Sequence, residues 1–245
     1  MADRQLFLGT PDKVYILDKT EGNNATINNH PAWASIWSVH TPFFSSYCPT
    51  DTSPLRRDIN SNTATAMDVQ TNTFCAAGMH FPNGSWATFG GNSAISVGGA
   101  VGSQPYPGGF NAIYDSTYGD YDGRKVVRII NPCQGDITQA SCQWEDSYNG
   151  LQMQKNRWYP GCEPLADGRI VLIGGFVSGG YINRNLPNIN PTYGGAEPTY
   201  EFWPANGIVA QNMKFMTTTS GLNSYAHTQL LASGLMLVQA NFSTS

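Results

Sequence analysis

Apolar residues along the chain fall into short runs that are separated by glycine, proline and asparagine. Valine, isoleucine, phenylalanine and tyrosine are frequent in these runs, and apolar spacing of the helical kind is seldom sustained. Short runs bounded by turn residues are typical of β-strands. The pattern therefore predicts an all-β fold.

Three of these runs share one plan, at residues 80–91, 164–175 and 231–240. Each has a tight turn with a glycine, followed by an apolar strand. In the first two runs a Gly-Gly pair begins six positions after the turn glycine, and the third run lacks the pair. We interpret each run as a hairpin turn leading into a strand, with the glycine pairs marking places where backbones crowd.

A repeated turn, strand and Gly-Gly pair is typical of kelch-like β-propeller blades, whose period is roughly 50 residues. The turn glycines Gly84, Gly168 and Gly234 lie 84 and 66 residues apart. Long loops must therefore separate the repeats, and the glycine-rich segments 98–121 and 183–198 are the candidates. An irregular β-sandwich is the alternative fold.

The chain has 245 residues, 40% of them hydrophobic and 12% charged, with 26 glycines and 15 prolines. Low charge and many turn formers favour a folded β-protein over a disordered chain. A formal net charge of -4 without basic clusters argues against nucleic acid and anionic membrane as partners. Residues 1–10 lack the apolar core of a secretory signal, and small molecules are the better ligand candidates.

The five cysteines form an odd set, so at least one is unpaired within the chain. Cys133 and Cys142 flank a short polar loop and are the best candidates for a local disulfide, which needs an oxidising compartment; two free thiols are the alternative. Motifs of zinc sites, nucleotide loops and serine hydrolases are missing from the sequence. Spacing alone gives Cys75 and Tyr159 only packing roles.

Taken together, however, the segments around Cys75 and Tyr159 resemble the copper radical oxidases, specifically the glyoxal oxidase branch related to galactose oxidase. The likeness covers nearly the whole chain. The segments that carry it are 7–9, 13–19, 65–75, 156–159, 165–168, 174–180, 221–223 and 238–241.

The resemblance implies a secreted seven-bladed propeller whose copper ion is held by two tyrosines and two histidines. Cys75 matches the cysteine, and Tyr159 the copper-binding tyrosine, that are joined in this family by a thioether. The family oxidises small aldehydes such as glyoxal or methylglyoxal to carboxylic acids and reduces dioxygen to hydrogen peroxide. The cross-linked pair serves as a built-in radical cofactor, and Trp158 either packs near its ring or is an ordinary core aromatic residue.

The chain departs from the family pattern in three respects. Val177 stands where galactose oxidase has a tryptophan over the cross-linked tyrosine. The other three copper ligands have no match, since Tyr225-Ala-His227 only superficially resembles a ligand pair. Residues 38–57 form an insert that is either a translated intron, which we favour, or a surface loop.

We therefore expect residues 1–245 to form the amino-terminal propeller region of such an oxidase, with three to four of seven blades. This chain alone would be inactive, because three of the four copper ligands are missing; its expected partner is the missing carboxy-terminal half of its own propeller. The sequons at Asn24, Asn83 and Asn241 agree with secretion. The alternatives are a non-catalytic propeller segment that binds carbohydrate or protein, and a gene-model fragment without a function of its own.

Overall fold

A computed structural model of the chain describes residues 5–38, 64–133, 136–177, 195–219, 224–240 and 243–244. Most of the expected insert (with Cys48), residues 183–194 of the second expected loop and the sequon at Asn241 lie outside the described residues.

Strands dominate the described part of the chain, which confirms the all-β prediction. Helical structure there consists of the short helix α1 (Lys214–Thr218) and single 3-10 turns at Val97–Gly99 and Ala140–Cys142. The strands are β1 (Gln5–Thr10), β2 (Lys13–Leu17), β3 (Thr26–Ile27), β4 (His30–Pro31), β5 (Ala34–Ser38), β6 (Thr65–Met67), β7 (Ala77–His80), β8 (Trp86–Phe89), β9 (Ile95–Ser96), β10 (Ala100–Val101), β11 (Gln104–Pro105), β12 (Ala112–Tyr114), β13 (Val127–Ile130), β14 (Gly161–Pro164), β15 (Ile170–Ile173), β16 (Thr199–Trp203), β17 (Gln211–Asn212), β18 (His227–Leu230), β19 (Met236–Ala240) and β20 (Ser243–Thr244).

In the described residues these strands form four larger antiparallel sheets that follow one another along the chain. The first sheet has the order β1-β2-β5-β6, the second β7-β8-β13, the third β14-β15-β16-β17 and the fourth β18-β19-β20. Two-stranded pairs β3-β4, β9-β10 and β11-β12 lie in the connections. A succession of four meanders differs from the two packed sheets of a sandwich, which was our alternative fold.

Each sheet packs against the next through its own apolar cluster. Phe7, Tyr15 and Ile36 of the first sheet meet Ile130 of the second. On β15, alternate side chains face opposite neighbours, so that Leu172 packs against the second sheet while its sequence neighbours pack against the fourth. The continuous apolar run of β15 follows from this burial on both faces.

The first strands of neighbouring sheets also lie side by side. β14 of the third sheet contacts both β7 of the second and β18 of the fourth. Together with β1 they surround an open groove of about 690 Å³. Among the described residues the sheets do not close into a ring. No described helix has the length and apolar character needed to cross a bilayer.

Replacing Leu172 by alanine tests this double-sided packing. Leu172 has 0% exposure between two sheets, so Leu172→Ala is expected to lower the free energy of unfolding by about 2–5 kcal/mol. The control is Leu235→Ala, at a leucine that is 68% exposed, where a change within about 0.5 kcal/mol is expected. Chemical denaturation measures both, and equal effects would contradict the packing order.

Candidate functional site

Cys75 lies in the turn that leads into β7, is 1% exposed and has a φ of +62°. Left-handed backbone costs a non-glycine residue about 1–2 kcal/mol and persists only where its surroundings fix it. Here Asn72 Oδ1 accepts a hydrogen bond from Phe74 N at 3.0 Å, and Ala76 N donates to the Thr73 carbonyl oxygen at 3.0 Å. The turn is therefore held on both sides of the cysteine.

Tyr159 lies in the segment that leads into β14 and also has left-handed backbone, with a φ of +60°. The preceding residue, Trp158, exchanges two backbone hydrogen bonds with Phe176, at 2.8 and 2.7 Å. Tyr159 N then donates to the carbonyl oxygen of Cys75 at 3.0 Å. The two residues that the resemblance pairs are thus in direct backbone contact.

Aromatic side chains surround the half-buried ring of Tyr159. The ring centroid of Trp158 is 4.4 Å away, that of Tyr225 is 5.1 Å away in an edge-on arrangement, and that of Phe176 is 6.5 Å away. The indole N–H of Trp158 donates to the Phe74 carbonyl oxygen at 3.1 Å, which fixes the indole. Trp158 therefore packs near the ring of Tyr159.

Tyr225 occupies the same structural position as Cys75 and Tyr159, two residues before the first strand of its sheet. Its φ is +48°, and its N–H donates to the Tyr159 carbonyl oxygen at 2.9 Å. Successive sheets are therefore linked by backbone hydrogen bonds between equivalent left-handed residues.

Our sequence analysis gave Tyr225 no role, and a signal for it was present in the sequence. Cys75, Tyr159 and Tyr225 each lie nine positions before the turn glycine of their hairpin, Gly84, Gly168 and Gly234. His227, at the start of β18, is exposed. Together with Tyr225 it lines the open groove that β1, β7, β14 and β18 surround.

The predicted Gly-Gly pairs lie directly after β8 and β15, where the segments of Cys75 and Tyr159 approach them. A Cβ at Gly90 would lie 2.1 Å from the Arg157 carbonyl oxygen, and one at Gly91 would lie 2.0 Å from the Asn72 carbonyl oxygen. Gly175, in the second pair, is similarly crowded by backbone. The interpretation of these pairs as points of backbone crowding is confirmed.

Arg128 is completely buried behind the Cys75 turn. Its guanidinium donates to the carbonyl oxygens of Gly90 at 2.8 Å and Asn72 at 3.2 Å, and it lies 3.4 Å from the carboxylate of Asp146. Burial lowers the pKa of Arg128 to about 10, which leaves it charged at neutral pH. It cross-links three chain segments behind the site.

Arg157, also completely buried, does the same for the Tyr159 segment. Its guanidinium donates to Glu201 Oε1 at 2.8 Å, to the Gly174 carbonyl oxygen at 2.7 Å and to Thr199 Oγ1 at 2.8 Å. The turns that carry the cysteine and the tyrosine are therefore each held by a buried cation.

Three further cysteines lie in the described part of the chain. Cys133 and Cys142 form a disulfide, as the sequence analysis predicted. Cys162 donates to the Gly78 carbonyl oxygen at 3.6 Å, and burial raises its pKa to about 12. At neutral pH Cys162 is therefore a thiol rather than a thiolate.

In the described part of the chain, no three histidine, cysteine, aspartate or glutamate side chains lie close enough to hold a metal ion. The buried His30 is hydrogen-bonded on both sides, with Nε2 2.9 Å from Asp68 and Nδ1 2.8 Å from the Pro31 carbonyl oxygen. His30 therefore has a structural role.

Asp120, at the end of the first long loop, has its carboxylate buried next to the Cys75 turn. Its Oδ2 accepts hydrogen bonds from Asn72 Nδ2 at 3.0 Å and from Ile95 N at 3.1 Å. Burial is the main cause that raises the pKa of Asp120 to about 7, and the nearby Asp115 adds to the shift.

Comparisons with known proteins agree with the resemblance seen in the sequence. The chain is 22% identical over 187 residues to aldehyde oxidase GLOX of Vitis pseudoreticulata, a match that covers 75% of the chain and 26% of the oxidase. It is 27% identical over 171 residues to a WSC domain-containing protein of Arthroderma benhamiae, covering 70% of the chain and 14% of that protein. The chain thus spans about a quarter and about a seventh of the lengths of these relatives. No protein-family model matches it.

Alanine at Gly90 is expected to disrupt the site, whereas alanine at Gly84 is not. Both glycines have positive φ, +75° and +86°, but a Cβ at Gly84 meets no atom within 4 Å. Gly84→Ala should cost only the left-handed penalty of about 1–2 kcal/mol. Gly90→Ala adds a backbone clash and should cost at least about 3 kcal/mol. Urea denaturation measures the difference, and equal losses would contradict the close approach.

Asp120→Asn is expected to change how stability depends on pH. The native pKa of about 7 lies above the unfolded value of about 4, so the unfolded state releases this proton first as pH rises. The carboxylate therefore lowers the free energy of unfolding between about pH 4 and pH 7, and asparagine removes that loss.

We expect the variant to gain on the order of 1–3 kcal/mol relative to the wild type between pH 4 and pH 8. Glu145→Gln, at an exposed carboxylate, serves as the control. A constant difference between Asp120→Asn and wild type across this range would show that Asp120 does not titrate there.

Proposed function

We propose that this chain is the amino-terminal region of a secreted copper radical oxidase of the glyoxal oxidase type. In this proposal its sheets are blades of a kelch-like propeller, and Cys75 and Tyr159 are its redox pair. The observation that carries the proposal is the hydrogen bond of 3.0 Å between Tyr159 N and the Cys75 carbonyl oxygen. It joins residues that are distant in sequence and whose side chains the resemblance pairs.

The chemistry of the pair follows from its side chains. The Cys75 S–H and one ring C–H of Tyr159 together lose two protons and two electrons when a carbon–sulfur bond forms between them. Dioxygen accepts the two protons and the two electrons and becomes hydrogen peroxide, so that atoms and electrons balance. The thioether sulfur then donates electron density to the ring, which makes the phenol easier to oxidise.

The surroundings of Tyr159 suit such a ring. Trp158, 4.4 Å away, and Phe176, 6.5 Å away, cover it with aromatic surface. Val177 stands where galactose oxidase has its covering tryptophan, and Trp158 takes over that shielding in our proposal. Aromatic cover of this kind limits the access of solvent to a reactive ring.

Copper would deprotonate the phenol and accept one electron, but the described residues do not fit a complete copper site. They offer the phenol of Tyr159 without a cluster of nitrogen or carboxylate donors around it. In this proposal the other ligands belong to the large part of the relative's length that the chain does not cover. The whole oxidase would convert an aldehyde hydrate and dioxygen into a carboxylic acid and hydrogen peroxide.

Secretion is part of the same proposal. The disulfide between Cys133 and Cys142 supports it, because such bonds persist in oxidising compartments. The sequon at Asn24 lies at an exposed position and is open to glycosylation.

The proposal is tested by loading the purified chain with copper in air and analysing its peptides by mass spectrometry. We expect the Cys75 and Tyr159 peptides to be joined with the loss of two hydrogens. Cys75→Ser and Tyr159→Phe should each abolish the joined peptide, and Cys162→Ser, the matched control, should leave it.

Beyond the one equivalent released by the cross-link, the same sample should produce no peroxide that depends on glyoxal or methylglyoxal, since its copper site is incomplete. A folded chain that never forms the cross-link would contradict the proposal and favour a non-catalytic segment that binds carbohydrate or protein. Sustained peroxide production would show that the chain needs no further ligands.

A further inference from the structure

Asn72 is completely buried, and both ends of its side-chain amide are hydrogen-bonded. Oδ1 accepts from Phe74 N at 3.0 Å, while Nδ2 donates to the Ser93 carbonyl oxygen at 3.1 Å and to Asp120 Oδ2 at 3.0 Å. An amide can donate and accept at the same time, which neither a carboxylate nor an aliphatic side chain can do at this position.

The contact with Phe74 N sets the conformation of the turn. An asparagine oxygen bonded to the N–H two residues later forms a local turn that replaces a backbone hydrogen bond. The carbonyl oxygen of Phe74 accepts a hydrogen bond from the indole N–H of Trp158. The carbonyl oxygen of the next residue, Cys75, accepts one from Tyr159 N. The orientation of the Asn72 amide therefore affects the position of the two carbonyl groups that accept hydrogen bonds from Trp158 and Tyr159.

The contacts with Asp120 and Ser93 set the orientation of the amide itself. If the oxygen and the nitrogen of Asn72 exchanged places, Oδ1 would face the Asp120 carboxylate and the Ser93 carbonyl oxygen, and the N–H of Phe74 would face a donor. Asp120 Oδ2 accepts from Asn72 and from Ile95, whereas the buried Oδ1 has no hydrogen-bond partner among the described residues. A buried carboxyl group with one oxygen unsatisfied is costly, so stability alone does not explain it.

We propose that Asn72 is a positioning residue for the Cys75–Tyr159 pair and that Asp120 orients its amide. The inference rests on the proposed function for its catalytic meaning, but the positioning of Cys75 can be measured without copper. It also gives the long loop that ends at Asp120 a role, because this loop supplies the group that orients the Cys75 turn.

The reaction of Cys75 with iodoacetamide, followed by peptide mass spectrometry and referred to Cys162, measures the positioning. Asn72→Ala removes all three hydrogen bonds and should speed the labelling of Cys75 at least about tenfold, the factor that corresponds to about 1.4 kcal/mol. Asn92→Ala is the matched control, because Asn92 Oδ1 accepts from the neighbouring Ser93 N, at 2.9 Å, and not from the Cys75 turn. It should leave the labelling rate unchanged.

An exchange of the two side chains separates positioning from a general loss of packing. Asn72→Asp alone places two carboxyl groups together without a donor and should also expose Cys75. In the double variant N72D/D120N, the amide at 120 donates to the carboxylate at 72, which still accepts from Phe74 N. The bonds that Ser93 O and Ile95 N make in the wild type are lost, so labelling should be slower than in Asn72→Asp without falling fully to the wild-type rate.

Thermal unfolding monitored by circular dichroism shows that each variant is folded before it is labelled. Wild-type labelling of Cys75 in folded Asn72→Ala, or failure of the double variant to restore protection relative to Asn72→Asp, would overturn the inference. The exchange keeps the test decisive if Asn72→Ala does not fold.

Cross-link formation with copper in air is the second measurement. Asn72→Ala should lower the yield of the joined Cys75 and Tyr159 peptides at a fixed time, and the double variant should restore it. A wild-type chain that forms no cross-link would contradict the proposed function, and the labelling rates would then decide the role of Asn72. Equal yields in wild type and Asn72→Ala would overturn the inference.

Discussion

The hydrogen bond between Tyr159 N and the Cys75 carbonyl oxygen is the interaction on which the site depends. At 3.0 Å it joins the turn before the second sheet to the turn before the third, and Tyr225 N makes the corresponding bond to Tyr159 at 2.9 Å. All three residues have left-handed backbone, which is unfavourable without glycine and requires a firm surrounding structure. The packing of successive sheets provides it, so the site is a consequence of how the sheets join.

Glycine pairs and buried arginines allow successive sheets to approach each other closely enough for these hydrogen bonds. Gly90 and Gly91 let the second sheet approach the carbonyl groups of Arg157 and Asn72 without a Cβ in the way. Backbone brought so near leaves carbonyl oxygens without strand partners, and the guanidinium groups of Arg128 and Arg157 satisfy several of them. Apolar side chains would fill the same volume without satisfying those oxygens, which would cost free energy for every oxygen left unbonded.

The fold could be predicted from the sequence much further than the site could. Turn glycines at regular offsets and apolar runs are local signals, and the hairpins at 80–91 and 164–175 follow from them. The pairing of Cys75 with Tyr159 came from the resemblance, since their spacing in sequence carries no chemical signal. Burial of Arg128 is a tertiary effect, because a single arginine in a strand normally points to solvent. The same holds for Asp120, whose environment comes from a segment distant in sequence.

Tyr225 could have been found in the sequence by comparing equivalent positions of the repeats. The same backbone position carries a thiol before the second sheet and a phenol before the third and fourth, always nine residues before the turn glycine. Because backbone hydrogen bonds define this position, the side chain there can differ from sheet to sheet while its location stays fixed. The repeat therefore brings together residues that no motif connects, and the ring of Tyr225 lies 5.1 Å from that of Tyr159 for the same reason. In the function that we propose, the chemistry of the site would follow from which side chains occupy one repeated position.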